Sequence, residues 1–136
     1  MSRYVRLRDA IEYTKIQPDA ANEYALCCSC GTIKHVLKAD AGHCIGRGSG
    51  GQSGVYFDER NVHLQCKICN GFEAQSVTPA YREFIDKKYG DGTIKELDIL
   101  HKVRSYSNEK IIGLGIYYKQ EYEKQCELIS KRLWKN

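Results

Sequence analysis

The chain has 136 residues, 42% of them apolar and 28% charged, and its 21 basic and 17 acidic side chains give a net charge of +4. This composition excludes a disordered chain, and no apolar run reaches the ~18 residues of a membrane span. Residues 1–6 contain no apolar signal core, so we expect an intracellular, cytoplasmic protein, and the basic excess is compatible with a nucleic-acid partner without identifying one.

The first part of the chain predicts one helix. Residues 3–16 can form it, and the Gln17-Pro18-Asp19 turn would end it. We expect a single domain over residues 1–136, in which residues 1–24 hold this helix, 25–78 hold the core and 79–136 form a helical region.

Two cysteine pairs follow, each with two residues between its members: Cys27 and Cys30, then Cys66 and Cys69. In a reducing compartment this spacing indicates metal ligands rather than disulfides, because two thiolates from one tight turn reach the same ion. Cys28 is an alternative to Cys27, although a C-x-C step fits less comfortably around one ion. The sequence therefore predicts a structural zinc site with four thiolate ligands.

The 35 residues between the two pairs exceed the ~15–20 of a plain zinc ribbon. Residues 32–39 predict a short strand that leads into Asp40-Ala41-Gly42-His43, and residues 55–57 predict a second strand after a glycine-rich loop at 46–54. We expect a helix to begin at or just after Asn70. Together these elements predict a ββα unit whose first strand ends at a histidine.

This arrangement resembles the HNH, or His-Me finger, nucleases, in particular the zinc-supported relatives of phage endonuclease VII. More narrowly, it is similar to the phage NinG/Rap recombination proteins over roughly residues 3–72. The similarity is carried, in order, by residues 4–10, Cys27-x2-Cys30-Gly31, Ala41-Gly42-His43, residues 57–63 and Gln65-Cys66-x2-Cys69-Asn70. The resemblance implies an α+β fold with a zinc-supported ββα-metal core, flanking N- and C-terminal helices, and an endonuclease acting on branched recombination DNA such as a Holliday junction.

The resemblance also implies roles for three side chains. His43 would be the general base that activates water, since a near-neutral imidazole can take a proton at physiological pH. Asn61 would hydrogen-bond the loop and orient His43; the alternative is an ordinary turn residue. Asn70 would bind the catalytic Mg2+ or Mn2+ through its amide oxygen, and the alternative is a helix N-cap.

The second ligand of this cation is left open, because Gly42 stands where many HNH enzymes carry Asp directly before the base. Asp40 would fit only if the strand bends at Gly42, because residues three apart face opposite sides of a regular strand. His63 could complete the site instead, or contact the scissile phosphate. Arg47 either reaches a DNA phosphate or is a solvated charge.

Three further helices are predicted after residue 78. Pro79 would open the first, which ends at Gly90, and Thr93 would cap the second. Asn108 begins a long helix with apolar side chains at three- and four-residue steps. This stripe packs on the domain or on a second copy; we favour a homodimer, because enzymes that cut junctions must nick two strands.

Two other functions stay open beside the nuclease. The chain could be a zinc-dependent nucleic-acid-binding module without catalysis, or an accessory protein that recruits recombination partners without affinity for DNA. His43 at the expected position favours the nuclease. We therefore expect DNA as the partner, no membrane association, and action inside the host cell of a phage or prophage.

Overall fold

The computed structural model describes residues 1–47, 53–71 and 74–133 and has an α+β fold, as predicted. The elements in chain order are α1 (Ser2–Ile16), β1 (Tyr24–Leu26), β2 (Ile33–His35), β3 (Ala39–His43), β4 (Val62–Cys66), α2 (Lys67–Asn70), α3 (Ala74–Tyr89), α4 (Thr93–Val103) and α5 (Asn108–Leu133). Single 3-10 turns form at Pro18–Ala20, Val36–Lys38 and Glu59–Asn61. Much of the predicted glycine-rich loop, at 48–52, lies outside the described residues.

The strands form two antiparallel pairs. Strand β1 pairs with β2, and β3 pairs with β4, in a register that places Ala39 opposite Cys66 and His43 opposite Val62. The β3–β4 pair is followed by α2 and α3 in the chain. The first residue of β3 therefore lies beside the second cysteine pair, and His43 lies at the other end of the same strand.

Both strand predictions between the cysteine pairs were wrong in position. The strand expected at 32–39 is divided, because Ile33–His35 pairs with β1 and Val36–Lys38 forms a 3-10 turn. Residues 55–57 form a turn, and the second strand of the core is Val62–Cys66. All five residues of that strand are buried, including a histidine and a glutamine. Because two of the five are polar, the sequence pattern did not indicate a buried strand.

Two of the predicted helix boundaries were correct and two were displaced. Helix α3 ends at Tyr89, before Gly90 with φ +112°, and α5 begins at Asn108, as predicted. Pro79, however, lies inside α3 rather than at its first turn. Thr93 is the first residue of α4 rather than its cap, and its hydroxyl donates to the Gly90 carbonyl.

The core consists of two apolar clusters that meet around the β3–β4 pair. On the α1 side, Leu64 packs with three buried alanines from α1, β1 and β3. On the other side, Val55 packs with Tyr81 and Ile85 of α3 and Leu97 of α4. The turn that holds Val55 is thereby fixed against the helical region.

Helix α5 packs against α1, where the Tyr118 ring lies 5.2 Å from that of Tyr4. Tyr118 is buried and donates to the Phe57 carbonyl, whereas Ile111, another residue of the predicted stripe, is 39% exposed. The apolar stripe is thus used within the chain in part, and the homodimer stays a prediction. Within the described residues, no helix is long and apolar enough to cross a membrane.

A buried network of charged and polar groups joins α1 to β4. The Asp9 carboxylate accepts from the Leu64 amide at 2.6 Å and pairs with Arg8 Nη2 at 2.7 Å. Arg8 Nη2 lies 2.9 Å from His63 Nδ1, and the Tyr89 hydroxyl lies 3.1 Å from His63 Nε2. Because a guanidinium only donates, His63 Nδ1 accepts and the ring is neutral. Burial lowers the pKa of His63 despite the nearby Asp9 carboxylate, which agrees with this protonation state.

We expect Asp9→Asn to lower the free energy of unfolding by about 3–5 kcal/mol, because the buried Arg8 guanidinium loses its closest carboxylate partner. Urea denaturation would measure this. Glu12→Gln is the matched control: Glu12 lies on the same helix as Asp9, and its partly exposed pair with Lys88 of α3 should contribute at most ~1 kcal/mol. Equal losses for the two variants would show that the network does not fasten α1 to the sheet.

Candidate functional site

Four thiols meet where the two strand pairs come together. The Sγ atoms of Cys27, Cys30, Cys66 and Cys69 all lie within 4.8 Å of one another. The Cys30–Cys66 distance of 3.9 Å is close to the ~3.8 Å edge of a tetrahedron with Zn–S bonds of ~2.3 Å. The Cys66 and Cys69 amides donate to Cys27 Sγ at 3.3 Å and to Cys66 Sγ at 3.4 Å, which favours thiolates. This four-cysteine cluster could hold a zinc ion.

Local backbone geometry explains why Cys27, and not Cys28, joins the cluster. Gly31 adopts φ +72°, and its amide donates to the Cys27 carbonyl at 2.9 Å, which closes the first tight turn. Cys28 points elsewhere and packs against the apolar cluster around Tyr81. Burial raises the pKa of the Cys28 thiol, and Cys28 is not among the four thiols that lie within reach of one ion.

The His43 ring is held by Tyr56. His43 Nε2 lies 3.0 Å from the Tyr56 carbonyl oxygen, and the two rings stack with centroids 4.1 Å apart and planes at 15°. Because a carbonyl only accepts, Nε2 carries the hydrogen and Nδ1 carries the lone pair. Burial lowers the pKa of His43, and the charge of Arg47 lowers it further, so the imidazole is neutral at physiological pH.

Asn61 is fully buried and ties together the two segments that flank the His43–Tyr56 contact. Its Oδ1 accepts from the Ile45 amide at 2.8 Å, and its Nδ2 donates to the carbonyls of Ile45 at 2.9 Å and Val55 at 3.1 Å. The residues just after β3 are thus fixed to the turn that carries Tyr56. Asn61 can hold His43 in place through the backbone without touching its ring.

Asp40 and Asn70 lie together on one side of β3. Asn70 Nδ2 donates to Asp40 Oδ2 at 3.1 Å, and Lys67 Nζ lies 3.4 Å from Asp40 Oδ1. Strand β3 is paired regularly from Ala39 to His43, so the bend expected at Gly42 is absent and Asp40 and His43 face opposite sides. Asn70 is the last residue of α2 and does not cap that helix.

Gly42 provides space rather than a bend. A Cβ built on Gly42 would lie 2.0 Å from Gln65 Oε1 and 2.9 Å from Asn70 Oδ1. Two amide oxygens therefore occupy the side of β3 where a side chain at position 42 would lie. Since successive Cα atoms are ~3.8 Å apart, the Asn70 oxygen is within about 8 Å of the His43 Cα.

Gln65 was not identified from the sequence. It is 4% exposed, and its Nε2 donates to the Ser29 hydroxyl at 2.8 Å, which directs Oε1 toward Gly42. Asp40, Asn70 and Gln65 thus supply oxygen atoms of the kind that Mg2+ or Mn2+ prefers. The only feature of the sequence that pointed to Gln65 was its position directly before Cys66.

We expect Gly42→Ala to impair the site, because the added methyl group must displace Gln65 and Asn70. An overpacked position of this kind typically costs ~1–3 kcal/mol of stability, and divalent-cation affinity should fall with it. Titration of Mn2+, followed by its paramagnetic effect on water relaxation, measures that affinity. Gly46→Ala is the control, since nothing lies within 4 Å of a Cβ there. Unchanged Mn2+ binding in Gly42→Ala would remove Asn70 and Gln65 from the cation site.

The prediction that His63 completes the cation site or contacts phosphate is wrong for this conformation. Its side chain is 1% exposed, and Arg8 and Tyr89 occupy its two ring nitrogens. The cause is tertiary packing of α1 and α3 over β4, which the local sequence around His63 does not reveal. His63 therefore belongs to the core rather than to the site.

The chain was compared with known proteins. The family profile described as "Bacteriophage Lambda NinG protein" matches residues 4–131. Proteins named "Protein ninG" are similar over 95 residues, at 32% identity in Salmonella phage P22 and 30% in Escherichia phages lambda and 933W. Each alignment covers 70% of this chain and 45% of the relative, so the chain spans about half the length of the curated relatives it matches. No solved structure matches. The chain therefore belongs to the NinG family of phage proteins.

Proposed function

We propose that this chain is a divalent-metal-dependent endonuclease that cuts branched DNA in phage recombination, with His43 as the general base. The observation that carries the proposal is the His43–Tyr56 contact. It directs the ring hydrogen to a backbone carbonyl and leaves the Nδ1 lone pair without a hydrogen-bond partner among the described residues. A neutral, fixed imidazole of this kind is what water activation requires.

The chain's own groups account for most of the reaction. His43 Nδ1 takes a proton from a water molecule as that water attacks the phosphorus atom. The P–O bond to the sugar oxygen on the opposite side breaks, and this leaving oxygen takes up a proton from solvent. Asn61 keeps the His43–Tyr56 contact in place by binding both flanking segments. Asn70 would hold Mg2+ or Mn2+ through its amide oxygen, and Asp40 orients that amide by accepting from Asn70 Nδ2. The bound cation would stabilise negative charge on the phosphate and its leaving oxygen.

The four-cysteine cluster lies directly beside two residues of this site. Cys66 pairs with Ala39, the residue before Asp40, and Cys69 directly precedes Asn70. A zinc ion in the cluster would therefore fix Asp40 and Asn70 relative to each other. We assign it a structural role, because four thiolates leave no open coordination position.

One observation favours the second candidate, a zinc-dependent DNA-binding module without catalysis. Asp40 is already engaged by Lys67 and Asn70, and within the described residues no hydrogen bond links His43 to either Asp40 or Asn70. A chain of this kind would bind DNA with salt-sensitive affinity and release no product.

Incubating zinc-loaded protein with a four-way junction, a flap, a duplex and a single strand separates the two candidates. Mg2+ should be added or omitted rather than chelated, because a chelator would also strip a zinc ion. We expect cleavage of the branched substrates only with Mg2+ or Mn2+. Binding of the junction without product in either cation would establish the binding module.

The cleavage rate should depend on pH through His43. Its pKa lies below the usual 6.5, so the active neutral form is lost only at lower pH. The single-turnover rate should rise about tenfold per pH unit below that pKa and level off above about pH 6.5. A rate that does not fall on acidification at any pH at which the protein stays folded and zinc-loaded, measured at saturating Mg2+, would exclude His43 as the base.

A further inference from the structure

We infer that a pocket beside His43 binds an unpaired nucleobase of the DNA substrate. The pocket has a volume of about 280 Å3 and lies between the turn before β4 and the α4–α5 connection. This inference rests on the proposed function and adds to it a means of selecting branched DNA. The lining includes Arg47, Tyr56, Phe57, Ser105, Tyr106 and Ile111.

Three aromatic rings form the wall of the pocket. Tyr56 meets Phe57 edge-on with centroids 5.0 Å apart, and Phe57 meets Tyr106 edge-on with centroids 5.2 Å apart. The Tyr106 hydroxyl donates to the Gly54 carbonyl at 3.0 Å, which fixes this ring to the turn. Rigid aromatic faces of this kind stack nucleobases with little preference for sequence.

Cationic side chains lie over the faces of two of these rings. Arg47 Cζ lies 4.5 Å from the Tyr56 centroid, and Lys110 Nζ lies 5.5 Å from the Tyr106 centroid. Arg47 and Lys110 have no carboxylate partner within the part of the chain that the structure describes. Unpaired cations beside aromatic faces suit a ligand that is itself aromatic and is linked to phosphates, as a nucleotide is.

The pocket and the candidate catalytic base share one residue. Tyr56 holds His43 through its carbonyl and its ring and also lines the pocket. A base that enters the pocket would therefore lie next to the residue that holds His43, and so close to the phosphate at which His43 would activate water. A paired base cannot enter, because its edge and both faces are occupied in the duplex, so the pocket favours DNA that is unpaired next to the cut.

Binding can be measured without cleavage by placing 2-aminopurine at each unpaired position next to the branch of a forked DNA. The zinc-loaded protein is added without Mg2+ or Mn2+. We expect quenching at one position, because stacking on an aromatic ring quenches this fluorophore. An abasic site at that position should weaken binding about 5- to 150-fold, which corresponds to ~1–3 kcal/mol of stacking.

Two pairs of variants locate the effect in the pocket. Tyr106→Phe should keep the quenching and Tyr106→Leu should lose it, because only the first retains an aromatic face. Lys110 is exposed, so Lys110→Ala should fold normally and bind the fork more weakly, with a reduced salt dependence. Lys119→Ala, on the same helix but about 14 Å farther along it from the Tyr106 ring, should bind like the wild type.

Two results would overturn the inference. The first is quenching at no position. The second is equal quenching by Tyr106→Leu and the wild type, together with equal binding by Lys110→Ala and Lys119→Ala. Either result is distinguishable from failure of the proposed function. Protein that cleaves the fork with Mg2+ but shows no quenching retains the nuclease and loses the pocket. Protein that shows the quenching pattern but never cleaves retains the pocket as part of a binding module.

Discussion

His43→Ala is expected to lower the single-turnover rate of branched-DNA cleavage by about 10²–10⁴-fold, the usual contribution of a general base. Affinity for the uncut junction, zinc content and the free energy of unfolding should change little, because His43 ends a strand at the edge of the core. Rate, affinity and zinc content can be measured on one preparation. A loss confined to the rate would place His43 in the chemical step.

The matched control is His35→Ala. His35 lies on the β1–β2 pair, where its Nδ1 accepts from the Leu37 amide and its ring meets Tyr24 edge-on. It has the same side chain without the contact to Tyr56, so cleavage should stay near the wild-type rate. Undiminished cutting by His43→Ala would remove the proposed mechanism, and an equal loss in both variants would indicate damage to the fold.

Cys66→Ser is expected to abolish zinc binding and unfold the core. Structural zinc contributes apparent free energies of ~10–16 kcal/mol in small zinc domains, which is comparable to the whole stability of a typical domain at ~5–15 kcal/mol. Cys66 ends β4, caps α2 through its Sγ and contacts Cys30. Its loss therefore disturbs both halves of the cluster. Zinc content and circular dichroism with increasing temperature would measure the effect.

Cys126→Ser serves as the control for this variant. Cys126 lies on α5 outside the four-cysteine cluster and is only partly buried, so its substitution should leave zinc content unchanged and lower the melting temperature by a few degrees at most. A Cys66→Ser protein that keeps one zinc ion per chain and a native spectrum would refute the structural role of the cluster.

The parts of the site that the sequence predicted are those set by local spacing. A C-x2-C step brings two thiols into one turn wherever it occurs, and the structure gathers all four predicted ligands. The start of α5 at Asn108 and the end of α3 before Gly90 also follow from local signals. The family was correctly recognised because its motifs are local as well.

The predictions that were wrong concern residues whose structure depends on contacts with other segments. Strand β4 alternates apolar residues with His63 and Gln65, and its polar residues are buried only because Arg8 and Ser29 bind them from other segments. Residues 55–57 resemble a strand in composition, yet Ser53 and Asn61 hold Val55 in a turn. Arg8 and His63 lie 55 residues apart and Ser29 and Gln65 lie 36 apart, so no local window of the sequence contains both partners of either contact.

Gly42 is an example within the site of a residue whose role depends on contacts distant in the sequence. The sequence showed that an expected aspartate was missing, and a bend was inferred in its place. In the structure the strand is straight, and the space is taken by the amide oxygens of Gln65 and Asn70, which lie 23 or more residues away in the chain. The two amide oxygens beside Gly42 become visible only once the strand register is known.

One DNA phosphate should lie between His43 and the amide oxygen of Asn70. A crystal structure of the zinc-loaded protein with a four-way junction, and with Ca2+ replacing Mg2+ to prevent cleavage, tests this placement directly. We expect the cation on Asn70, and a water molecule about 2.6–3.2 Å from His43 Nδ1, in line with the phosphorus. A structure in which the backbone phosphates lie away from both His43 and Asn70 would contradict the nuclease mechanism.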